Sequence, residues 1–314
     1  MSNWRVITVL PFVRSFHSVW LVTGLLLALT ACAGPKPSPE PAPERYPPIS
    51  YPYQAKERIL SIAYREWLEF RRPVLDQTGT EERQLRKGYE EGDPEVFPHL
   101  QAYWNAVRAD YAGYVRQQRD RHRAGVRTGL WQGEPWSAAF ISYVMRSAGI
   151  DLDDFEWDAG HRNYVDAAIR SERRYGRDSV FLPHEITDYA PRVGDLVCSD
   201  RSLPAEQRIR SLAEREAELG GSRGMHCDIV VQTEPGRIAV IGGNVRDAVT
   251  LSYLPVNARG QLIPWQPEDG PEIRTFFTVL QTNIPDPPGG FPVPRGLREA
   301  ERLLRDQEGN TASG

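Results

Sequence analysis

The order of helical and strand patterns along the sequence predicts an α+β protein. Apolar residues recur at helical spacing in the first half of the chain, and short apolar runs typical of strands follow from residue 193 onward. Turn residues such as Glu234-Pro235-Gly236 separate these runs, which favours antiparallel pairing of neighbouring strands. Helices followed by strands, instead of alternation between the two, indicate the α+β class.

Residues 55–124 are predicted to form helices. The first helical pattern covers residues 55–72 and is stopped by Pro73, since proline cannot continue a helix. A second amphipathic pattern runs from about 98 to 122. Its apolar stripe is rich in tyrosine, and aromatic residues at such spacing indicate packing more often than a ligand site.

Residues 134–149, EPWSAAFISYVMRSAG, predict a buried helix whose first turn presents one polar side chain, Ser137. Pro135 suits the first helical position and Gly149 supplies a C-terminal stop. A hydroxyl in the first turn lies near free backbone N–H groups and the positive end of the helix dipole. That position suits a nucleophile and equally a capping serine, so both interpretations stay open.

The second half of the chain is predicted to be an α+β domain over residues 125–285. A helix over 158–175 carries His161 near its start, and the charged segment 203–219 is typical of a solvated helical insertion. Residues 286–314 are expected to form a flexible tail that contains a charged helix with frayed ends around residues 297–306. Strands are predicted within 193–198 and at 226–232, 238–245, 249–254 and 276–281.

The composition is that of an ordinary globular protein, with 40% hydrophobic and 25% charged residues. The net charge of −4 offers no basic excess for a phosphate backbone, so nucleic acid is not an expected partner. No cofactor is expected. The histidines show no spacing typical of metal ligands, so no metal site is predicted.

The N-terminus predicts a lipoprotein signal peptide over residues 1–31. Two arginines precede an apolar run at 19–30 that is too short for a comfortable membrane span. The run ends in Leu29-Thr30-Ala31-Cys32, which resembles the lipobox of bacterial lipoproteins. The resemblance implies lipidation of Cys32 and a location on the periplasmic face of the outer membrane. The proline-rich composition that follows predicts an extended tether over 32–54. A signal peptide cleaved elsewhere is the alternative.

Several short motifs stand in a fixed order. Trp136-Ser137-Ala138-Ala139-Phe140 opens a helix, Gly194-Asp195-Leu196-Val197 opens a strand, and His226 opens the next strand, with Gly242-Gly243-Asn244 ending a later one. This order resembles the papain-like cell-wall amidases and peptidases of the CHAP and NlpC type. It resembles more closely an uncharacterised bacterial family, domain of unknown function 2272. The resemblance implies a papain-like helix packed on an antiparallel sheet, with extra N-terminal helices.

The resemblance places Ser137 at the nucleophile, His226 at the general base and Asn244 at the position that orients the base. Serine stands where the amidases have cysteine. A thiol can be ionised in advance by an imidazolium and a helix N-terminus, whereas a hydroxyl must lose its proton during attack. The substitution leaves open whether the groove still catalyses a reaction.

Three functions are therefore compatible with the sequence. The favoured one is a binding groove for a cell-wall peptide or glycan fragment or a protein partner, in a degenerate amidase. The alternatives are an active serine-dependent peptidoglycan amidase or peptidase and a structural envelope assembly protein. In each case the lipid anchor makes the membrane a partner.

Four further residues are candidates for the groove. Asp228 lies two residues after His226 and therefore on the same face of the strand. His161 could line the groove from the neighbouring helix. Trp131 and Trp136 could form an aromatic wall for a peptide or glycan, or belong to the core.

Two cysteines, Cys198 and Cys227, remain once Cys32 is lipidated, and an even pair in an oxidising compartment favours a disulfide. Successive side chains of a strand point to opposite faces, so Cys227 points away from the groove that His226 faces. A disulfide to Cys198 on the neighbouring strand is expected, with two buried thiols as the alternative.

Overall fold

A mixed sheet with helices packed on it forms the part of the chain that the computed structural model describes, residues 46–107, 109–265 and 274–311. The predicted α+β class is confirmed. The predicted signal peptide, Cys32 and most of the predicted tether lie outside these ranges. None of the helices within them is long and apolar enough to cross a membrane.

The sheet has eight strands in the order β2-β1-β7-β6-β5-β4-β8-β3, and all neighbours are antiparallel except the parallel pair β1 and β7. The helices are α1 (Tyr53–Glu69), α2 (Phe97–Ala106), α3 (Ala112–Arg123), α4 (Ser137–Ala148), α5 (His161–Tyr175), α6 (Leu212–Ala217) and α7 (Arg295–Thr311). The strands are β1 (Val74–Asp76), β2 (Arg83–Arg86), β3 (Phe181–His184), β4 (Leu196–Asp200), β5 (Met225–Glu234), β6 (Arg237–Val245), β7 (Ala248–Pro255) and β8 (Thr275–Thr282).

The sequence pattern misses the short strands at the two edges of the sheet, β2 and β3. Strand β2 is four residues of RQLR, and β3 contains Pro183. Charged residues and proline are typical of edge strands, where they discourage further pairing, but they also weaken the strand signal. The five central strands carry the alternating or continuous apolar pattern and occur where it predicts them.

Helix α4 is the central helix and packs on β5 and β6. A Cβ atom at Gly243 of β6 would lie only 2.5 Å from Cβ of Phe140 and 2.9 Å from the indole of Trp136. Glycine at this position therefore allows the first turn of α4 to approach the sheet closely. Gly149 ends the helix in the left-handed conformation, with a φ of 85°, as its sequence position indicates.

The segment predicted as one long helix over 98–122 contains two. Helix α2 ends at Ala106 because the backbone of Val107 is extended, and α3 begins at Ala112 after a 3-10 turn over Ala109–Tyr111. The N-terminal segment also contributes β1 and β2 to the sheet, so it is not purely helical. Its side chains belong to the same hydrophobic core as α4.

The charged helix predicted around residues 297–306 is present as α7, Arg295–Thr311, and it is packed on the domain where a flexible tail is expected. Leu297, Ala300 and Leu304 are buried, at the spacing of one helix face. The start of α7 also contacts α1, where the backbone N–H of Gly296 donates to the Tyr64 hydroxyl at 3.1 Å. Burial of this apolar face supplies the free energy that orders the segment.

The charged insertion 203–219 contains a shorter helix than predicted, α6, and it packs against the domain. Helix α6 begins with a capping box formed by Ser211 and Glu214. Arg215 on this helix is fully buried and forms a two-pronged ion pair with Asp166 of α5, at 2.7 Å for each contact. The insertion therefore rests on α5 instead of extending into solvent.

The predicted disulfide between Cys198 and Cys227 is confirmed. The two residues are directly opposite each other on the antiparallel strands β4 and β5, and both are fully buried. The bridge joins the two strands one residue away from His226 and closes the loop that carries α6. It therefore fixes the position of β5 relative to β4.

Replacing both cysteines with alanine is expected to lower the free energy of unfolding by about 3–4 kcal/mol. The two cysteines are 29 residues apart in the chain. Opening a loop of that length raises the entropy of the unfolded chain and therefore lowers its free energy by about 3–4 kcal/mol. Urea unfolding of the full chain, with and without reductant, measures the change. Reductant should destabilise the wild type and leave the double variant unchanged; equal urea midpoints for both proteins would contradict the prediction.

Candidate active site

A cavity of about 450 Å³ lies between the first residues of α4 and α5 and the strands β5 and β6. Four of the residues predicted from sequence line it: Ser137, His161, His226 and Asn244. They come from four different elements, separated by up to about a hundred residues in the chain. The fold therefore brings most of the predicted polar site together.

Ser137 is the first residue of α4, and its side chain is directed to a histidine. Its Oγ lies 2.6 Å from Nε2 of His161 at the start of α5. Both residues are buried, with exposed fractions of 7% and 4%. The histidine that contacts the serine is thus His161, whereas the sequence motifs point to His226.

The other ring nitrogen of His161, Nδ1, forms a short hydrogen bond with the hydroxyl of Tyr164, one turn along α5. Tyr164 is fully buried, and this is its one hydrogen bond within the described part of the chain. If the phenol accepted from His161, its own proton would be buried without a partner, at a cost of about 1–3 kcal/mol. Tyr164 therefore donates to Nδ1, and Nε2–H of His161 donates to the oxygen of Ser137.

His226, the first polar residue of β5, is oriented by Asp228 on the same strand face. Nε2 of His226 lies 2.9 Å from Oδ1 of Asp228, and Arg274 forms an ion pair with the other carboxylate oxygen. Burial alone raises the pKa of Asp228, but the charges of Arg274 and His226 outweigh it and hold the pKa below the ordinary value. The carboxylate is therefore ionised and accepts the Nε2 proton of His226.

This assignment leaves Nδ1 of His226 unprotonated and able to accept a hydrogen bond. Within the described residues it has no hydrogen-bond partner, and it is not among the atoms sealed from solvent. The ring centroids of His226 and His161 are 5.5 Å apart. The hydrogen bond of Ser137 that the structure shows is the one to His161, and a donation from its hydroxyl to Nδ1 of His226 belongs to the reaction proposed below.

Burial lowers the pKa of both histidines, because the low-dielectric interior disfavours the imidazolium. For His161 the nearby His226 lowers the pKa further, whereas for His226 the charge of Asp228 opposes the effect. Both rings are consequently neutral near pH 7. Neutral histidines can exchange protons with a hydroxyl, which an imidazolium pair cannot do.

Gly242 on β6 makes room for the pair of His226 and Asp228. A Cβ atom on this glycine would lie 1.7 Å from Oδ1 of Asp228 and 3.1 Å from Nε2 of His226. Any side chain here would displace the carboxylate from the imidazole. Gly242 therefore leaves room for the hydrogen-bonded pair of His226 and Asp228, and Gly243 leaves room for the first turn of α4.

The resemblance implies that Asn244 orients the histidine base. Asn244 lines the cavity, but it forms no hydrogen bond with His226 within the described residues. That hydrogen bond is made by Asp228. Asn244 lies in an irregularity of the pairing between β6 and β7 and has a φ of 56°, in the left-handed region that asparagine tolerates. Asp228 replaces it because residues i and i+2 of a strand share one face.

The aromatic wall expected from Trp131 and Trp136 is not at the cavity. Both indoles are fully buried in the core, and Nε1 of Trp136 donates to Glu91 at 2.7 Å. The aromatic residues that line the cavity are Trp104 and Tyr111, from the N-terminal segment. The N-terminal segment thus forms part of the site.

The Gly194-Asp195 motif has a structural task outside the cavity. The buried carboxylate of Asp195 accepts hydrogen bonds from the backbone N–H groups of Arg192 and Thr282 and from the hydroxyl of Tyr189. Burial raises the pKa of Asp195 to about 6 in spite of these bonds. The motif anchors the turn before β4 to β8.

Sequence reasoning missed the arginines of the site. Arg201 and Arg223 line the cavity, and Arg274 pairs with Asp228. Arg201 directly follows β4, so its position beside the start of β5 could have been inferred from the strand pairing. Arg274 is 46 residues from Asp228, and nothing in the local sequence indicates the contact.

The fold and the site define an α+β protein with a serine and two histidines in one cavity, built on the start of a central helix and an antiparallel sheet. The family model described as "Uncharacterized protein conserved in bacteria (DUF2272)" matches residues 96–282, more than half of the chain. The chain belongs to this family, as its motifs predict. No curated protein and no solved structure matches it.

Proposed function

We propose that the protein is a serine-dependent hydrolase that cleaves an amide or peptide bond in bacterial cell-wall peptides. The observation that carries the proposal is that Ser137 shares one cavity with His226, whose Nε2 is held by Asp228 and whose Nδ1 can accept a proton. A serine at a helix start, in the same cavity as an unprotonated imidazole nitrogen, has the elements of an activated nucleophile. The cell-wall substrate is supported by the resemblance of the motif order to CHAP and NlpC-type enzymes.

In the proposed reaction, Oγ of Ser137 attacks the carbonyl carbon of the substrate while its proton passes to Nδ1 of His226. Nε2–H of His161 stabilises the negative charge that develops on Oγ, and free N–H groups in the first turn of α4 are suited to stabilise the oxyanion. The imidazolium of His226, stabilised by Asp228, then protonates the leaving nitrogen as the C–N bond breaks. Water hydrolyses the acyl ester by the same route and restores Ser137.

The proposed location is the cell envelope, with a lipid anchor at Cys32. It is supported by the lipobox-like sequence Leu29-Thr30-Ala31-Cys32 after a short apolar run. A lipid anchor would hold the domain next to the cell wall, where a wall hydrolase meets its substrate.

Binding without cleavage is the second candidate function. It is favoured by the direction of the hydrogen bond at Ser137. Because Ser137 accepts from His161, this histidine does not remove the proton of the serine, and the hydroxyl can serve as a polar group that contacts a ligand. In that case the cavity binds the same class of wall fragment and does not cleave it.

Incubation of the full chain with purified peptidoglycan, followed by mass spectrometry of the soluble products, tests the proposal. In parallel, a fluorophosphonate probe, which forms covalent adducts with activated serines, is mapped by peptide mass spectrometry. Released fragments together with an adduct on Ser137 would support the hydrolase. Retention of wall fragments with neither release nor adduct would identify a binding module, and the absence of all three would contradict both functions.

A further inference from the structure

We infer that Arg201 binds a free carboxylate of the substrate, close to the bond that Ser137 attacks. This inference rests on the proposed function and makes its substrate more specific: the cavity takes an acidic peptide, not a neutral glycan. Arg201 lines the same cavity as Ser137, His161 and His226.

Arg201 differs from the other two arginines of the site in having no ionic partner among the residues that the structure describes. Arg274 is paired with Asp228, and Arg223 is paired with Asp200 and Glu218. The guanidinium of Arg201 forms neither a hydrogen bond nor a salt bridge with any residue that the structure describes. A cation that has no partner among the described residues of a cavity is available to an anionic ligand.

The charges around Arg201 increase its attraction for an anion. Burial lowers the pKa of Arg201, and the charge of Arg274 lowers it further. Asp228 opposes this effect, but its carboxylate is shared between Arg274 and His226. The group of two arginines and one aspartate thus retains a net positive charge beside the reactive residues.

The shape and surroundings of the cavity favour a carboxylate over a polyanion. A guanidinium presents its N–H groups in a planar fork that matches the two oxygens of a carboxylate. Glu134 also lines the cavity, and it affects the titration of Tyr111 and Tyr114 rather than that of the histidines. Glu134 adds a negative charge to the cavity lining, which disfavours a polymer with many phosphates more than a peptide with one carboxylate.

Equilibrium binding to the full chain carrying Ser137→Ala tests the inference without turnover of the probe. The probes are a synthetic wall tetrapeptide as the free acid and the same peptide with every carboxylate converted to a primary amide. The acid is expected to bind about 10- to 100-fold more tightly than the amide. Adding Arg201→Gln should remove this preference, and Arg201→Lys should restore part of it.

Arg259→Gln is the matched control, because it removes the same charge from an exposed turn outside the cavity lining. Equal binding of acid and amide, an acid preference that survives Arg201→Gln, or no binding of either peptide would overturn the inference. Cleavage of both peptides by the wild type at equal rates would overturn it while leaving the hydrolase standing. Arg201-dependent binding without cleavage by the wild type would overturn the hydrolase and support the carboxylate site.

Discussion

Replacing Ser137 with alanine is expected to lower the rate of peptide release from peptidoglycan by about 10³-fold or more. The variant lacks the oxygen that forms the acyl ester, and loss of the nucleophile in serine hydrolases removes most of the catalytic rate. The fold should tolerate the change, since alanine fits the first turn of a helix and the side chain is small. Single-turnover release, followed by mass spectrometry, measures the effect.

Ser142→Ala is the matched control for this prediction. Ser142 is a fully buried serine on the same helix, but its hydroxyl bonds to the backbone of Asp158 instead of the cavity residues. It should retain the wild-type rate even if its stability falls. A Ser137→Ala protein that releases peptides as fast as Ser142→Ala would exclude Ser137 as the nucleophile.

The Ser137→Cys variant separates a nucleophile from a purely polar lining group. A thiol next to a histidine and a helix N-terminus is partly ionised near neutral pH, so it should remain reactive. We expect this variant to retain measurable release and to lose it after treatment with iodoacetamide, which should leave the wild type active. Release that is insensitive to alkylation would show that the residue at position 137 does not form the acyl bond.

Local sequence patterns were sufficient for the elements that build the site. The spacing of apolar residues and the stop at Gly149 predict α4, and apolar runs predict the central strands. Because successive side chains of a strand point to opposite faces, Cys227 is predicted to point away from the face of His226. The same alternation places Asp228, two residues on, beside His226, whereas the resemblance implies that Asn244 orients the histidine. In this case the residue pattern was a better guide than the motif.

Other features depend on packing between distant elements and leave no periodic signal. The contact between Ser137 and His161 requires the starts of α4 and α5 to meet, and the cation at Asp228 comes from Arg274, far along the chain. The burial of Trp131 depends on how the N-terminal helices cover α4. Helix α7 is predicted from the sequence, but its docking on α1 is not, because the contact between Gly296 and Tyr64 joins distant parts of the chain.

Replacing Asp228 with asparagine is expected to lower the maximal rate by about 10²- to 10⁴-fold and to move the acidic limb of the pH profile to lower pH. The carboxylate holds the tautomer of His226 in which Nδ1 is free and stabilises the imidazolium formed in the reaction. Asparagine supplies no charge for the imidazolium. The maximal rate therefore falls even if the ring keeps its position.

The direction of the pH shift follows from the charges that surround His226. The wild type requires neutral His226, so its rate should rise with pH through a pKa below the ordinary value of 6.5, because burial lowers it. Arg274 and Arg201 lower this pKa as well, and Asp228 is the group that raises it. With Asp228 neutralised the pKa of His226 falls further, so the acidic limb moves down. Release rates between about pH 4 and pH 8 measure the profile.

Asp166→Asn provides the control for the structural cost of the same substitution. Asp166 and Asp228 are both buried and both paired with an arginine, so either variant removes the negative charge from a buried ion pair and should destabilise the fold by about 3 kcal/mol. Arg215 keeps its contact with Glu218 in the Asp166 variant. Asp166 pairs with Arg215 and does not line the cavity, so its variant should keep the wild-type pH profile. If both variants lose activity to the same degree with unchanged profiles, Asp228 acts on stability alone, and the assignment of His226 as the base is wrong.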